Sequence, residues 1–360
     1  MAIRLKSWFG LGIALIIGAP IGACGDTSAQ PAAADLPQHL SETGLFVEGS
    51  TTEISPDVVP FAPQYPLWSD GATKRRWIAL PPGSFIDASR PDAWDFPPGT
   101  RLWKEFSLGR PIETRMIERL KDGTWRFAAY VWKEDGSDAV LAPPEGLPSH
   151  IVPGASQRRY PIPSETDCRA CHEGAAVPVL GFSALQLSPD RDPLAPHAEP
   201  AQPDHVNLRT LAARGLLRNL PQKLIDNPPR IAAASPAGRA ALGYLHGNCA
   251  HCHNESSEAG AAVPVVAKLE QKVTDRANAD AVMGSLIGGS SRFRGPETRT
   301  ISQIVAPGQS HASVLSLRMR SRDPRVQMPP LGTMIPDEDA LALIERWIDE
   351  DLKPVKETHP

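Results

Sequence analysis

The first half of the chain shows the alternation of apolar and polar residues that predicts β-strands. Two β-prone runs, 112–120 and 124–132, flank Asp122-Gly123, a dipeptide that favours a tight hairpin turn. In the second run alternate positions form an apolar face and the others a mixed face, which is the period of a strand packed on one side. These two runs therefore predict a β-hairpin.

Further strand patterns extend this hairpin into a domain. The runs 75–80 and 101–108 alternate in the same way. Six of the eight tryptophans fall between Trp68 and Trp132, and large aromatic side chains in such runs typically form the core and the cross-strand pairs of a sheet. We predict an antiparallel, sandwich-like β domain over residues 42–160.

Helical spacing dominates the last third of the chain. Ser235-Pro236 has the residue types of an N-cap and a first helical position, and an apolar run comes directly after it. Pro336-Asp337 opens an amphipathic helix whose apolar face contains Leu341, Ile344, Trp347 and Ile348. A further helix is predicted over 206–217. The predicted fold class is multidomain α+β, with the β domain followed by a mainly α-helical domain.

The spacing of the cysteines adds a specific chemistry. Four of the five cysteines lie in two Cys-x-x-Cys-His motifs, Cys168-Arg-Ala-Cys171-His172 and Cys249-Ala-His-Cys252-His253. Two thiols at this spacing can add to the two vinyl groups of one porphyrin, and the next residue, a histidine, becomes the proximal ligand of the iron. The sequence therefore predicts two covalently bound haem c groups, one on each motif.

Two other uses of the cysteine pairs stay open. Four thiolates from two Cys-x-x-Cys pairs can close a tetrahedral zinc site, which would make this a structural zinc-binding protein. A disulfide of the thioredoxin type would account for each pair, but not for the histidine after it. Haem attachment is favoured because it uses the cysteines and the histidines together.

A methionine between the two C-terminal helices offers a sixth ligand for the second haem. Met328 precedes two prolines, which restrict its loop, and a thioether raises the potential of haem iron. We predict Met328 as this ligand, with Met334 as the reserve candidate. Met319 is predicted to lie on a helix and to pack in the core. The first haem has no equally good candidate, and the residues considered are His150, His197, His205 and Met116.

The N-terminus has the pattern of an export signal over residues 1–23. Arg4 and Lys6 precede an apolar run that is too short to span a bilayer comfortably, and small residues come after it. The sequence before Cys24 resembles a bacterial lipobox, which predicts acylation of Cys24 and a lipoprotein on the periplasmic face of a membrane, with Gly25 favouring the outer membrane. An ordinary signal peptide with an incidental cysteine is the alternative.

Net charge disfavours one class of partner. The formal charge is −4 at pH 7, and loss of residues 1–23 removes Arg4 and Lys6 but no acid, which leaves −6. A nucleic-acid partner would require a basic patch, so none is expected. An acidic chain is compatible with a basic redox partner protein.

Prolines mark the connections between these patterns, and the mature chain is long enough for more than one domain. We predict a flexible tether over 24–41 and a first haem-binding segment over 161–230. No pair of flanking helices accompanies the first motif, so we expect its haem to lie between the β domain and the C-terminal part of the chain. The second haem falls in a domain over 231–353 whose entry and exit helices resemble a class I cytochrome c.

Several stretches resemble a poorly characterised family of bacterial exported di-haem c-type cytochromes. They run from about residue 44 to 350 and include Pro66-Leu67-Trp68-Ser69-Asp70, 96–100, 112–115, Tyr130-Val131-Trp132, 248–253 and the Met-Pro segment. Trp68 stands where a phenylalanine is expected. The resemblance implies haem-dependent electron transfer, with the haem ligands Cys168, Cys171, His172, Cys249, Cys252 and His253.

These observations favour an electron carrier that needs no substrate-transforming residues. The alternative is an enzyme, a di-haem peroxidase or haem-linked oxidase, in which the Met-ligated haem feeds electrons to a first haem with an open coordination position. The two hypotheses differ only in the sixth ligand of the first haem.

Overall fold

The computed structural model describes residues 36–152, 158–256, 267–275, 277–294 and 302–353. Within these ranges the chain forms a six-stranded antiparallel sheet, a second sheet of two short parallel strands and seven α-helices. The predicted α+β class is therefore confirmed. The export signal 1–23 and Cys24 lie outside the described residues.

The six-stranded sheet contains the predicted hairpin at its centre. Its strands, in spatial order, are β1 (Val59–Pro60), β2 (Thr73–Ala79), β4 (Arg101–Ser107), β5 (Pro111–Arg119), β6 (Trp125–Trp132) and β7 (Ala139–Leu141). The turn between β5 and β6 is closed by the Asp122 carboxylate, which accepts a hydrogen bond from the Thr124 amide at 2.9 Å. The smaller sheet pairs β3 (Ile86–Asp87) with β8 (Leu217–Arg218).

The sandwich-like architecture predicted for this region is wrong for the described residues, because no second antiparallel sheet packs on the first. The N-terminal segment covers one face instead: Leu40 and Leu45 are fully buried, and Trp103 Nε1 donates to Thr43 Oγ1 at 3.0 Å. Packing therefore begins inside the segment predicted as a tether. Helix α1 (Glu165–His172) covers part of the opposite face, so the middle of β6 is buried on both sides.

The remaining helices are α2 (Leu208–Ala213), α3 (Gln222–Asp226), α4 (Pro236–Cys249), α5 (Asn278–Leu286), α6 (Val314–Arg320) and α7 (Glu338–Arg346). Four of them, α2, α4, α6 and α7, lie where helices are predicted, whereas α3 and α5 are not predicted from the sequence. Ser235 caps α4 and Asp337 caps α7, each through its side chain, as the sequence predicts. The helix predicted over 206–217 ends at Ala213, because Gly215 adopts φ 68° and Leu217 joins the smaller sheet.

Helices α4 and α7 pack against each other in the C-terminal core. Leu242 and Leu245 of α4 are buried together with the predicted apolar face of α7, and a π-helical turn, Trp347–Asp351, continues α7. Met319 is buried on α6, as predicted. None of the helices in the described ranges has the length and apolar character needed to cross a membrane.

Candidate functional site

The first Cys-x-x-Cys-His motif lies on α1 and ends it. Ser164 caps the helix by accepting from the Asp167 amide, and the Asp167 carboxylate accepts from the Ser164 amide in return at 3.0 Å. Cys168 and Cys171 are three positions apart on this helix, so their thiols lie on one face. The local sequence therefore fixes the spacing of the two thiols and of His172.

His172 is oriented as a metal ligand would be. Its Nδ1 lies 2.6 Å from the carbonyl oxygen of Pro178, and its ring centroid lies 5.2 Å from that of Phe127 on β6. Burial lowers the pKa of His172 to about 4, so the imidazole is neutral at pH 7. Because Nδ1 donates to a carbonyl, the lone pair is on Nε2, which is then available to an iron.

The second motif repeats this arrangement at the end of α4. The helix ends at Cys249, whose carbonyl accepts from the Cys252 and His253 amides at 3.1 and 2.8 Å. His253 Nδ1 lies 3.1 Å from the carbonyl oxygen of Ala267, and burial lowers the pKa of His253. Both motif histidines thus donate from Nδ1 to a backbone carbonyl, and no hydrogen bond to Nε2 is formed by the described residues.

The four motif cysteines are free, half-buried thiols. Burial raises the pKa of Cys168 and of Cys171 to about 11 and that of Cys249 to about 12, so these sulfurs are protonated at pH 7. Thiolate chemistry and disulfide exchange both require the ionised form. In the part of the chain described, no three or more His, Cys, Asp or Glu side chains are gathered into a metal site, as a four-thiolate zinc site requires.

The two motifs touch each other. Asn254 Nδ2 donates to the Gly174 carbonyl at 2.8 Å, and the Cys252 sulfur lies 4.0 Å from the carbonyl oxygen of Ala170. A Cβ on Gly174 would lie 2.7 Å from the His251 carbonyl oxygen, so a glycine is needed at this contact. Groups attached to the two motifs would therefore have adjacent anchoring points, which no sequence pattern indicates.

A segment before β2 joins α4 to the loop that contains Met328. Asn248, next to Cys249, accepts from the Trp68 amide at 2.6 Å and donates to the Pro66 carbonyl at 3.2 Å. The Asp70 carboxylate accepts from the Met334 amide at 2.9 Å and from the Ile335 amide at 3.2 Å. In the sequence this segment is notable only because it is one of the stretches that resemble the cytochrome family. No residue pattern in it predicts contacts with α4 and with the Met328 loop.

Replacing Asp70 with asparagine is expected to destabilise the protein by about 1–3 kcal/mol, because hydrogen bonds to a charged acceptor contribute about that much. Asp70 is buried and has φ 53°, a conformation that asparagine tolerates, so the change acts on the carboxylate. Denaturant unfolding measures the loss. Asp57→Asn, at an exposed position, is the control, and equal stability of the two variants would contradict the prediction.

Arg318 connects Met328 to the surroundings of His253. The Met328 amide donates to the Arg318 carbonyl at 3.0 Å, and the Arg318 guanidinium donates to the carbonyls of Val326 and Gln327 at 2.9 and 3.2 Å. The charge of Arg318 also acts with burial to lower the pKa of His253. The reserve candidate Met334 is 51% exposed, whereas Met328 is half-buried. Of the two methionines, Met328 is therefore the better candidate for the predicted axial ligand.

The candidates for the sixth ligand of the first haem are dispersed. Met116 is buried on the sheet face opposite α1, between Trp103 and Ala128, so it faces away from His172. His197 Nε2 lies 2.8 Å from Asp337 Oδ1, and its ring contacts the tilted Trp68 ring with the centroids 4.8 Å apart.

The other two candidates lie at separate places. His205 precedes Val206, which pairs with Phe61 beside the β1 edge of the sheet. His150 lies near Glu113, and the Tyr160 amide donates to its carbonyl at 2.9 Å. Glu113 is on the sheet face that α1 covers, so His150 is the candidate that shares this face with the first motif.

Comparisons with known proteins assign no family to this chain. No protein-family model, no curated protein and no solved structure matches it. The interpretation of the two motifs therefore depends on their own residues and geometry. Each motif presents a histidine with Nδ1 bonded to a backbone carbonyl, next to a pair of free thiols.

Proposed function

We propose that the protein is an exported, lipid-anchored di-haem c-type cytochrome that transfers electrons between redox partner proteins. The observation that carries the proposal is the shared geometry of the motifs, in which His172 and His253 each commit Nδ1 to a backbone carbonyl. The contact between the motifs supports transfer between two haems, because electron exchange requires short separations. Cys24 would anchor the chain.

Each chain segment has a defined part in this proposal. Cys168, Cys171, Cys249 and Cys252 would form the thioether bonds, and His172, His253 and Met328 would be axial ligands. The haems supply reversible one-electron chemistry. The hydrogen bonds to Pro178 and Ala267 fix the orientation of the imidazoles and increase their basicity as ligands. Helices α4 and α7, with the Met328 loop, would form the cytochrome c-like domain.

A second candidate function is a di-haem peroxidase or haem-linked oxidase. It is favoured by the positions of Met116 and His197, since both lie away from the first motif and leave His150 as the candidate ligand on the sheet face of His172. A redox titration with optical and EPR detection separates the two functions. A first haem that stays six-coordinate and low-spin at every potential, without peroxide turnover, excludes the enzyme.

Removal of one cysteine pair is expected to reduce the number of covalent haems from two to one. The paired variants are Cys168→Ala/Cys171→Ala and Cys249→Ala/Cys252→Ala, because either pair anchors one porphyrin. The measurements are the intact mass and a haem stain of the denatured exported chain. Cys24→Ala is the control and should keep both haems. A wild-type chain without covalent haem, but with bound zinc, would contradict the proposal.

A further inference from the structure

One face of the six-stranded sheet carries a row of cationic side chains. Arg76 on β2 lies directly opposite Lys104 on β4, and Lys104 lies directly opposite Arg115 on β5. Lys74, two residues before Arg76, is on the same face. Like charges directly opposite each other on neighbouring strands destabilise a sheet. A row of this kind is therefore expected to have anionic partners.

The described residues provide only part of that negative charge. Arg115 is paired with Glu113 through Nε at 3.0 Å, and Arg76 is paired with Glu199 at 2.5 Å. Lys104 Nζ lies 4.8 Å from the Phe106 ring, and no hydrogen-bond acceptor in the described ranges bonds to it. Arg76 is 5% exposed, yet its Nη2 is buried without a hydrogen-bond partner in the described part of the chain.

The sheet face that carries these cations also contacts the first Cys-x-x-Cys-His motif. Phe127, on the same face of the sheet, contacts the His172 ring. Lys104 and Arg115 are close enough to His172 for their charges to act with burial in lowering its pKa, and Lys104 acts in the same way on His251. Burial and the neighbouring cations hold the pKa of Lys104 itself well below its ordinary value, so an anionic partner is needed to keep its ammonium charged. Lys104 and Arg115 thus place cationic groups beside the first motif.

We propose that Lys104, together with the unpaired Nη2 of Arg76, binds the propionate carboxylates of the first haem. This inference rests on the proposed function, since it requires a haem on Cys168 and Cys171. A haem has two carboxylates, and the face offers two unused donor groups: the Lys104 ammonium and Nη2 of Arg76, whose Nη1 is paired with Glu199. The ammonium of Lys104 acts as a point charge towards a carboxylate, whereas Arg76 offers directed N–H groups.

The assignment has a measurable electrostatic consequence. A positive charge near the iron favours the ferrous form, because oxidation adds one positive charge to the site. Burial strengthens this interaction, since the local dielectric constant is lower than that of water. Lys104 therefore raises the reduction potential of the first haem and has little effect on a haem whose carboxylates lie elsewhere.

The test compares Lys104→Gln with Lys104→Arg and Lys121→Gln in the full di-haem protein. We expect Lys104→Gln to raise the ferric-to-ferrous ratio of the first haem about tenfold at a fixed ambient potential, equivalent to about 59 mV for a one-electron couple. The second haem, identified by its thioether signature, should change much less. Lys104→Arg keeps the charge and should restore the ratio. Lys121, exposed near the hairpin turn, is the matched control.

Three outcomes would overturn the assignment while both haems stay attached. They are an unchanged ratio in Lys104→Gln, an equal change in both haems, and an altered axial-ligand EPR signature, which would make Lys104 an iron ligand instead. Failure of the proposed function is distinguishable from these, because the wild-type chain would then carry no covalent haem.

Discussion

Replacement of Met328 by alanine is expected to lower the reduction potential of one haem and to leave the other unchanged. A thioether stabilises the ferrous state relative to water or hydroxide, so its loss favours the ferric state. Axial ligands set haem potentials over a range of about 0.8 V, and we expect a fall on the order of 0.1 V or more. This is the largest functional effect of a single substitution that we predict.

The measurement is a potentiometric titration that monitors the Met-to-ferric-iron charge-transfer band. Met334→Ala is the matched control, because Met334 belongs to the same loop but is 51% exposed. The control should retain both potentials. An unchanged spectrum in Met328→Ala would reject Met328 as the ligand, and a loss of the band in Met334→Ala instead would assign the reserve candidate.

Replacement of Gly243 by alanine is expected to destabilise the fold by about 1–3 kcal/mol, the usual cost of overpacking a core. A Cβ at this position of α4 would overlap the ring of Tyr65. The ring has little freedom to move, since Tyr65 is 2% exposed and its hydroxyl donates to Asp192 at 3.1 Å. The Tyr65 amide is held as well, by Gln186 Oε1 at 3.0 Å.

Gly284→Ala is expected to have the opposite effect on the stability of the fold. Gly284 lies within α5, and a Cβ there would meet nothing within 4 Å. Alanine in a helix is more favourable than glycine by about 0.5–1 kcal/mol, so this variant should be more stable than wild type. Denaturant unfolding of both variants tests the prediction. Equal stability of the two would show that Tyr65 does not constrain α4.

The sequence predicts the secondary structure well wherever the determining signal is local. The β5–β6 hairpin is predicted by Asp122-Gly123 between two alternating runs, and α4 and α7 begin at the residues whose side chains cap them. Predictions that depend on distant partners are less successful. The helix over 206–217 ends early because Leu217 pairs with Ile86, far away in the chain. The prediction of a β-sandwich is wrong because N-terminal residues and α1, rather than a second sheet, cover the two faces of the sheet.

Some features of the candidate site are likewise predicted by local sequence, and others depend on the tertiary structure. Cysteine and histidine spacing identifies the two motifs, since the spacing itself is the chemical requirement. The hydrogen bonds from His172 to Pro178 and from His253 to Ala267 are also close in sequence, but no residue type signals a backbone acceptor. Exclusion of Met116 as an axial ligand required knowing which face of β5 it occupies relative to α1.

The sequence alone determines the two Cys-x-x-Cys-His motifs, the hairpin and the two capped helices, because each depends on neighbours a few positions apart. Only the tertiary structure places the motifs in contact through Asn254 and Gly174, connects the Met328 loop to α4 through Asp70, and aligns Lys104 with Arg76 and Arg115. These contacts depend on strand register and on packing between distant segments. Such contacts are decided by the burial and pairing of the whole fold, and no local pattern encodes them.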